Sequence, residues 1–311
     1  MSESLIPKII SGDIGSIAKA ITIIENGGPL NDEFFKGIYN KNLNTIRIGI
    51  TGPPGAGKST LINELIQSFL SNNKSVGVIA VDPTSPFTGG ALLGDRVRMN
   101  KFVWDERIFI RSMGSRGDRG GIARKAQDAG DVLEASGKDI VIFETVGVGQ
   151  GEYDVAKAAD LTIVVLVPES GDEIQLMKAG LLEIADLFVI NKSDREGANK
   201  LAAILKNILH NYNQKENTIP PVFNTISSNG IGIPEMYIGI VSLVKKMKNS
   251  GLLEKRRLER YKNRVIHIIR ERLENEFWTI ENTHFLQKAA DSLCEIHGAP
   301  VEIANKLLKK L

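Results

Sequence analysis

The chain has 311 residues, which exceeds a typical single-domain length and predicts roughly two domains, or one large α/β domain with appendages. Hydrophobic residues make up 42% of the sequence and charged residues 24%, a composition that excludes collagen-like, wholly disordered and disulfide-scaffold proteins. Lys and Arg total 39 and Asp and Glu total 37, so the net charge of +2 is too close to neutral to indicate a nucleic-acid or membrane-surface partner.

Two further features bear on the compartment. The single cysteine, Cys294, has no second cysteine to pair with and forms no cysteine cluster for zinc, which favours a reducing compartment. No run approaches the ~18 consecutive apolar residues of a membrane span, and the start MSESLIPKIISGD lacks both a basic region and a following apolar stretch. We therefore expect a cytoplasmic protein without a membrane partner.

The first predicted element is an amphipathic helix over residues 4–24. Apolar residues recur there at steps of three and four positions, as one face of a helix requires. These residues are Leu5, Ile9, Ile10, Ile14, Ile17, Ile21 and Ile24. The sequence Asn26-Gly27-Gly28-Pro29 follows and ends the pattern.

Seven short apolar segments, rich in β-branched residues, come next. They are TIRIGI (45–50), SVGVIAV (75–81), RIFI (107–110), DIVIFE (139–144), LTIVVLV (161–167), LFVI (187–190) and PVFNTI (221–226). Stretches with helical spacing lie between most of them, at residues 58–69, 122–133, 174–185 and 198–209. Strand alternating with helix predicts an α/β fold with a doubly wound, mostly parallel sheet that is buried on both faces.

From about Gly251 the strand signal stops, and one long helix is predicted over LLEKRRLERYKNRVIHIIRERLENEF. Its apolar stripe consists of Leu258, Tyr261, Val265, Ile268, Ile269, Leu273 and Phe277. Either the core domain or a second copy of the helix could cover this stripe, and a helix outside the α/β unit favours the second copy, hence a homodimer. The predicted domains are an N-terminal helical extension (1–44), an α/β domain (45–250) and a C-terminal helical arm (251–311).

The segment GPPGAGKS (52–59) fits the pattern G-x-x-x-x-G-K-[ST] between an apolar strand and a helical segment, the context of a phosphate-binding loop. Glycines let backbone N–H groups turn toward phosphate oxygens, and the N-terminus of the following helix adds partial positive charge. Lys58 would neutralise the β- and γ-phosphates, and Ser59 would supply an oxygen to Mg²⁺. The predicted phosphate-side residues are Gly52, Pro53, Pro54, Gly55, Ala56, Gly57, Lys58, Ser59 and Thr60.

The segment Asn191-Lys192-Ser193-Asp194, directly after the strand LFVI, favours guanine as the base. Guanine presents N1–H and an exocyclic amino group, which one carboxylate, Asp194, can accept together. Asn191 can address another edge of the purine, and the stem of Lys192 can lie along the ring. Adenine would leave the Asp194 carboxylate unmatched, and unmatched polar groups reject analogues. Ile226 and Ser227, after the next strand, lie where a loop would complete the base pocket.

Acidic residues near the ends of predicted strands complete the site. Asp82 follows SVGVIAV, Asp95 lies in the loop GGALLGDRVRM, and Glu144 ends DIVIFE. Carboxylates at the carboxyl ends of strands in an open sheet point into the ligand crevice, and Mg²⁺ takes oxygen ligands. Together with Ser59 they predict a Mg²⁺ site, although a helix cap or a turn residue is a plausible alternative for each acid taken alone.

Five motifs in this order resemble one family. They are GPPGAGKST (52–60), VDPTSPFTGGALLGDRVRM (81–99), RSMGSRGDRGGIARK (111–125), FETVGVGQGE (143–152) and VPESGDEIQLMKAGLLEIADLFVINKSD (167–194). Together they resemble the G-proteins that chaperone adenosylcobalamin-dependent acyl-CoA mutases, the methylmalonyl-CoA mutase-associated type, over nearly the whole chain. The resemblance implies a P-loop GTPase fold, GTP or GDP with Mg²⁺ as cofactors, and a protein that docks on the mutase, gates cofactor loading and protects the mutase.

The resemblance also implies roles by position. Lys58, Asp82, Glu144 and Lys178 are implied for catalysis, and Asp82 also lies in a first switch. Gly147 and Gln150 lie in a second switch. An additional switch between Pro168 and Lys178 contains Asp172, Gln175 and Lys178. Two departures leave roles open. Ile226-Ser227 stands where relatives usually read Ser-Ala, and RGDRGG replaces a more hydrophobic version of its loop, which leaves the roles of Arg116, Asp118 and Arg119 undetermined.

Two other functions fit a phosphate loop on this fold. A nickel-type metal insertase would need a soft or imidazole site, whereas the histidines, His210, His267, His284 and His297, are scattered and there is one cysteine. A phosphotransferase would need a general base and an acceptor pocket, which the sequence does not single out.

Overall fold

The computed structural model describes residues 3–26, 32–39, 44–82, 102, 104–114, 121–145, 156–170, 180–212, 219–290 and 298–309; for Glu3, Asp82 and residues 121–124, 170 and 211–212 it describes the backbone alone. The chain divides into two units, Met1–Leu253 and Glu254–Leu311. The three-part division expected from the sequence stays a prediction.

The first unit contains a sheet of seven parallel strands within the described residues. The strands are β1 (Ile46–Thr51), β2 (Val76–Asp82), β3 (Ile108–Gly114), β4 (Ile140–Glu144), β5 (Leu161–Leu166), β6 (Leu187–Ile190) and β7 (Val222–Asn224). Their order is β3-β2-β4-β1-β5-β6-β7, and every pairing is parallel. The predicted α/β fold with a doubly wound sheet is confirmed.

The helices of this unit occupy both faces of the sheet. They are α1 (Ile6–Ile10), α2 (Ile14–Glu25), α3 (Asp32–Ile38), α4 (Lys58–Ser71), α5 (Gly121–Ala135), α6 (Leu181–Ile184), α7 (Ala198–Tyr212) and α8 (Ile233–Asn249). Side chains alternate between the faces, so that Ile140 and Ile142 of β4 pack with α4 and α8, while Val141 and Phe143 pack with α2 and α5. The central strands, whose carboxyl ends lead into the predicted nucleotide-binding loops, are therefore buried on both faces.

The predicted N-terminal helix is interrupted in the structure. Gly12 has a left-handed backbone with φ of +83°, and Asp13 caps the second helix by accepting a hydrogen bond from the Ser16 N–H at 2.7 Å. The apolar pattern carried no sign of this break because Ile9, Ile17, Ile21 and their neighbours still join one core on both sides of it. Helices α1, α2 and α3 pack on the same sheet face as α5.

A buried ion pair ties β1 to α5. The Arg47 guanidinium donates to Glu134 at 2.5 Å and to Asp131 at 2.6 Å, and the Arg47 and Glu134 side chains are 5% and 6% exposed. Burial alone would lower the pKa of Arg47, but the two carboxylates outweigh it and hold that pKa above its ordinary value. The pair anchors the strand that leads into the phosphate-binding loop.

The second unit is helical in its described part. Helix α9 (Leu252–Phe277) begins with the last two residues of the first unit, and the rest of it belongs to the second unit. It is one long helix, as predicted. Helices α10 (Ile280–Ala289) and α11 (Pro300–Leu308) follow. Ala289, Ile303 and Leu307 form a small core between them, on which Phe277 and Phe285 pack.

Candidate functional site

The loop between β1 and α4 has the backbone that its glycines predict. Gly52 has φ of +141°, and a Cβ there would stand 2.0 Å from the Val165 carbonyl oxygen of β5. Gly57 has φ of +83°, and a Cβ there would stand 2.5 Å from the amide nitrogen of Asn191. No side chain fits at either position, so the loop lies directly against β5 and the residue after β6.

The opposite side of the same loop is open. Gly55 has φ of +76°, and nothing lies within 4 Å of the place that its Cβ would occupy. Pro54 and Gly55 are exposed, whereas Ala56 is buried beneath them. Backbone N–H groups of a glycine-rich turn at a helix N-terminus, with this open side, form a cradle that fits a phosphate group.

Lys58, the first residue of α4, places its ammonium group inside this loop. Its Nζ donates to the carbonyl oxygens of Gly52 at 2.7 Å and Pro53 at 3.0 Å, and the residue is 6% exposed. The side chain is buried and its charge lies at the loop, an arrangement suited to binding a multiply charged anion.

Ser59 and Glu144 meet at the carboxyl ends of β1 and β4. The Ser59 hydroxyl donates to Glu144 Oε1 at 2.7 Å, and both residues are buried. The two strands are neighbours, with Ile50 in register with Glu144, and Thr145 donates to the Thr51 hydroxyl at 2.9 Å. A hydroxyl and a carboxylate beside a phosphate cradle are the hard oxygen donors that Mg²⁺ prefers, so the donor set fits that ion.

Asn191, after β6, joins three segments of the site. Its Nδ2 donates to the Ala56 carbonyl oxygen at 2.8 Å. Its Oδ1 accepts from the Thr225 hydroxyl at 3.1 Å and from the N–H and hydroxyl of Ser227 at 3.1 and 2.8 Å. The described contacts of this buried amide fix the phosphate-binding loop to the loop after β7, and the contact with the purine expected from the sequence stays a prediction.

Lys192 and Asp194 stand on the exposed side of that junction. Lys192 has φ of +55°, and its Nζ donates to the Gly55 carbonyl oxygen at 2.8 Å, so its stem spans from the β6 loop to the phosphate-binding loop. The Ser193 N–H donates to the Thr225 carbonyl oxygen at 3.0 Å and holds the segment to the β7 loop, where Ile226 is half-buried. Asp194 is exposed and adjacent to this surface.

An ion pair that sequence reasoning missed lies beside Asp194. Arg195 donates to Glu169, which lies in the short 3₁₀ turn Pro168–Ser170 after β5. This hydrogen bond holds the pKa of the Glu169 carboxyl below its ordinary value. The two residues are 26 positions apart, and no local pattern announces such a pair.

Several predicted site residues lie outside the described residues: Asp95, Arg116, Asp118, Arg119, Gly147, Gln150, Asp172, Gln175 and Lys178. Asp82 is described by its backbone, which ends β2 opposite Gly114 of β3. In the part of the chain that the structure describes, no group of three or more His, Cys, Asp or Glu could hold a metal ion. None of the described helices combines the length and the hydropathy that a membrane span requires.

Comparisons with known proteins agree with this geometry. Residues 17–282 match the family described as methylmalonyl-CoA mutase-associated GTPase MeaB. A Pyrococcus horikoshii protein named as a GTPase is 42% identical over 307 residues, which cover 98% of this chain and 93% of that protein. The Mus musculus mitochondrial protein named methylmalonic aciduria type A homolog is 33% identical over 295 residues, covering 89% of this chain and 71% of that protein.

One solved structure extends the likeness to the fold. The crystal structure of a protein named LAO/AO transport system kinase superposes with a TM-score of 0.72 at 26% identity, covering 99% of this chain and 97% of that one. A phosphate-binding loop on a parallel α/β sheet, a family match over most of the chain and relatives named as GTPases lead to the same assignment. The chain belongs to the family of methylmalonyl-CoA mutase-associated GTPases of the MeaB type, and it is a GTPase.

Proposed function

We propose that this GTPase docks on an adenosylcobalamin-dependent acyl-CoA mutase and couples GTP hydrolysis to the loading and protection of the mutase's cofactor. The observation that carries the proposal is the match of residues 17–282 to a family described by its association with methylmalonyl-CoA mutase. The mouse relative named for methylmalonic aciduria supports the same partner class. We place the complex in the cytoplasm.

The phosphate side of the proposed site is built on α4. Lys58 binds the β- and γ-phosphates and stabilises the negative charge that develops on the transferring phosphoryl group. Ser59 and Glu144, which already share a hydrogen bond at 2.7 Å, hold Mg²⁺ together with Asp82 and Asp95. Bound Mg²⁺ neutralises phosphate charge during the displacement.

The base side of the proposed site is built on the loops after β6 and β7. Asp194 accepts both donors of guanine, and the stem of Lys192, fixed by its bond to Gly55, supports one face of the ring. Asn191 positions the loops around the base and does not itself recognise the base, because its side-chain oxygen already accepts three hydrogen bonds from Thr225 and Ser227. Ile226 and Ser227 close the pocket on its remaining side.

The additional switch between Pro168 and Lys178 is the proposed link to the mutase. Its first turn is attached to the base side of the site through the Glu169–Arg195 ion pair. The same segment contains the proposed switch residues Asp172, Gln175 and Lys178. The second switch contains Gly147 and Gln150. Docking that places Lys178 against the phosphates would add positive charge where negative charge develops, as an arginine finger does.

The mutase test measures GTP hydrolysis with and without a purified acyl-CoA mutase. We expect the mutase to accelerate hydrolysis by about tenfold or more, because a partner that orders switch loops assembles the charge-stabilising groups. We expect Lys178→Ala to keep GTP affinity and the unstimulated rate and to lose the acceleration. Asn199→Ala, an exposed change on α7, is the matched control and should be accelerated like the parent.

Two outcomes would overturn parts of this proposal. Equal rates with and without saturating mutase, using methylmalonyl-CoA and isobutyryl-CoA mutases in turn, would remove the mutase partner. A phosphotransferase is the second candidate function, favoured by the name of the similar crystal structure. It would be supported if the labelled γ-phosphate of GTP appeared on the mutase or on a small acceptor instead of as inorganic phosphate.

We further propose that the chain is a homodimer through α9. Apolar side chains with large exposed fractions follow that helix, including Leu258 at 53%, Ile269 at 51% and Leu273 at 60%. A row of this kind at helical spacing is suited to packing on a second copy. Light scattering should give a dimer mass for the parent and a monomer mass for Ile269→Glu with Leu273→Glu. His267→Glu, an exposed change off this stripe, should remain a dimer; a monomeric parent would contradict the proposal.

A further inference from the structure

A partly buried ion pair joins the end of α2 to the end of β3. Glu25, the last residue of α2, accepts from Arg111 Nη2 at 2.5 Å through Oε2. Its other oxygen, Oε1, accepts from the backbone N–H of Gly114, the last residue of β3, at 3.4 Å. The side chains of Arg111 and Glu25 are 20% and 14% exposed. One carboxylate therefore binds both a side chain and the backbone of the same strand.

Packing alone does not explain a charge at this position. Arg111 stands between Phe109 and Met113 on the face of β3 that packs in the core formed with α2 and α5. An apolar side chain would continue that row, and replacing a buried ion pair by apolar residues is often neutral or stabilising. The described residues also give Arg111 Nε no hydrogen-bond partner. The guanidinium thus has a desolvation cost that stability does not require.

The position of the pair points to the catalytic edge of the sheet. Gly114 is in register with Asp82, the last residue of β2, and both strands end on the side of the sheet where β1 enters the phosphate-binding loop. Parallel strands share a ladder of hydrogen bonds, so a shift of one strand end moves its neighbour. The carboxylate of Glu25 is attached to this ladder one strand away from Asp82.

We propose that Glu25 and Arg111 are positioning residues that hold the carboxyl ends of β3 and β2, and thereby set Asp82 against the metal in the nucleotide site. The inference rests on the proposed function in one respect, namely the assignment of Asp82 to the Mg²⁺ shell. It gives α2 a role in hydrolysis as well as in packing. The remaining part, that the pair holds the strand ends, stands on the contacts alone.

The decisive variant is Glu25→Gln with Arg111→Met, because it removes both charges and leaves neither one buried alone. We expect its thermal stability to stay close to the parent's, while either single change lowers it. We expect the Mg²⁺ concentration for half-maximal GTP hydrolysis to rise by about tenfold, since small displacements of a catalytic group are costly. Amide hydrogen exchange of a peptide covering residues 108–114 should become about tenfold faster.

Glu33→Gln with Lys36→Met is the matched control, because it removes an ion pair of 2.7 Å on α3 in which both side chains are exposed. It should change neither the Mg²⁺ requirement nor exchange at residues 108–114. A merely structural role for Glu25 and Arg111 would make exchange at residues 108–114 faster in the double variant and leave the Mg²⁺ requirement at the parent's value, and that result would overturn the inference.

Asp82→Asn separates this inference from the proposed function. If Asp82→Asn raises the Mg²⁺ requirement and the Glu25 and Arg111 double variant does not, the positioning inference fails while the metal assignment stands. If Asp82→Asn has no effect on the Mg²⁺ requirement, the metal assignment fails. Unchanged exchange at residues 108–114 in the double variant would show, in either case, that the ion pair does not restrain the end of β3.

Discussion

Replacement of Lys58 by alanine is expected to lower the rate of GTP hydrolysis by about a thousandfold. The Lys58 ammonium lies inside the phosphate-binding loop, held by the Gly52 and Pro53 carbonyl oxygens, and is nearly excluded from water. A positioned charge in such a place stabilises the transferring phosphoryl group by several kcal/mol, and water cannot replace it with the same geometry. The measurement is single-turnover hydrolysis at saturating GTP and Mg²⁺.

Lys58 is buried, so the alanine variant also removes buried side-chain atoms, and a second variant separates that loss from the loss of charge. Lys58→Met retains most of the stem and removes the charge, and it should lose as much activity as Lys58→Ala while unfolding closer to the parent's temperature. Lys36→Ala, an exposed lysine on α3, is the control for the loss of one positive charge and should hydrolyse GTP at the parent rate. Hydrolysis within a few-fold of the parent in both Lys58 variants would remove this residue from the active site.

The strands were predictable because their signal is local. Each of the seven apolar segments became a strand of the sheet, and each of the five motifs that carry the family resemblance includes or directly follows the last residue of a strand. The prediction for β3 stopped at Ile110, whereas the strand continues to Gly114. The four additional residues of β3 include Arg111 and Ser112, whose polar side chains do not predict a strand. Their pairing with β2 makes them part of the sheet.

The positioning contacts were not predictable because they join distant parts of the chain. Asn191 reaches Ala56 across 135 positions, and Arg111 reaches Glu25 across 86. A polar residue in a motif predicts that some contact exists, but the partner is decided by which loops the sheet order brings together. Asn191 illustrates this, since its type and place were evident from the sequence and its role as a clamp was not.

Replacement of Asp194 by asparagine is expected to reverse the choice of nucleotide. The carboxylate accepts two hydrogen bonds from guanine in the proposed site, and bonds to a charged acceptor contribute about 1.5–3 kcal/mol each, so GTP affinity should fall by about a hundredfold or more. An asparagine amide offers one donor and one acceptor. Xanthine presents N1–H and a 2-oxo group, which match that pair, so xanthosine triphosphate should bind the variant more tightly than GTP does.

Asp194 is exposed and belongs to no helix or strand, so this substitution is not expected to unfold the protein, and the affinities of GTP, ATP and xanthosine triphosphate can be compared directly by equilibrium titration. Glu196→Gln removes a carboxylate two positions along the same exposed loop and should leave the preference for GTP intact, which separates base recognition from the general charge of the loop. Unchanged GTP affinity in Asp194→Asn would show that another group reads the base. ATP that binds the parent as tightly as GTP would show that Asp194 does not select guanine, because adenine lacks the donor pair that this carboxylate would accept.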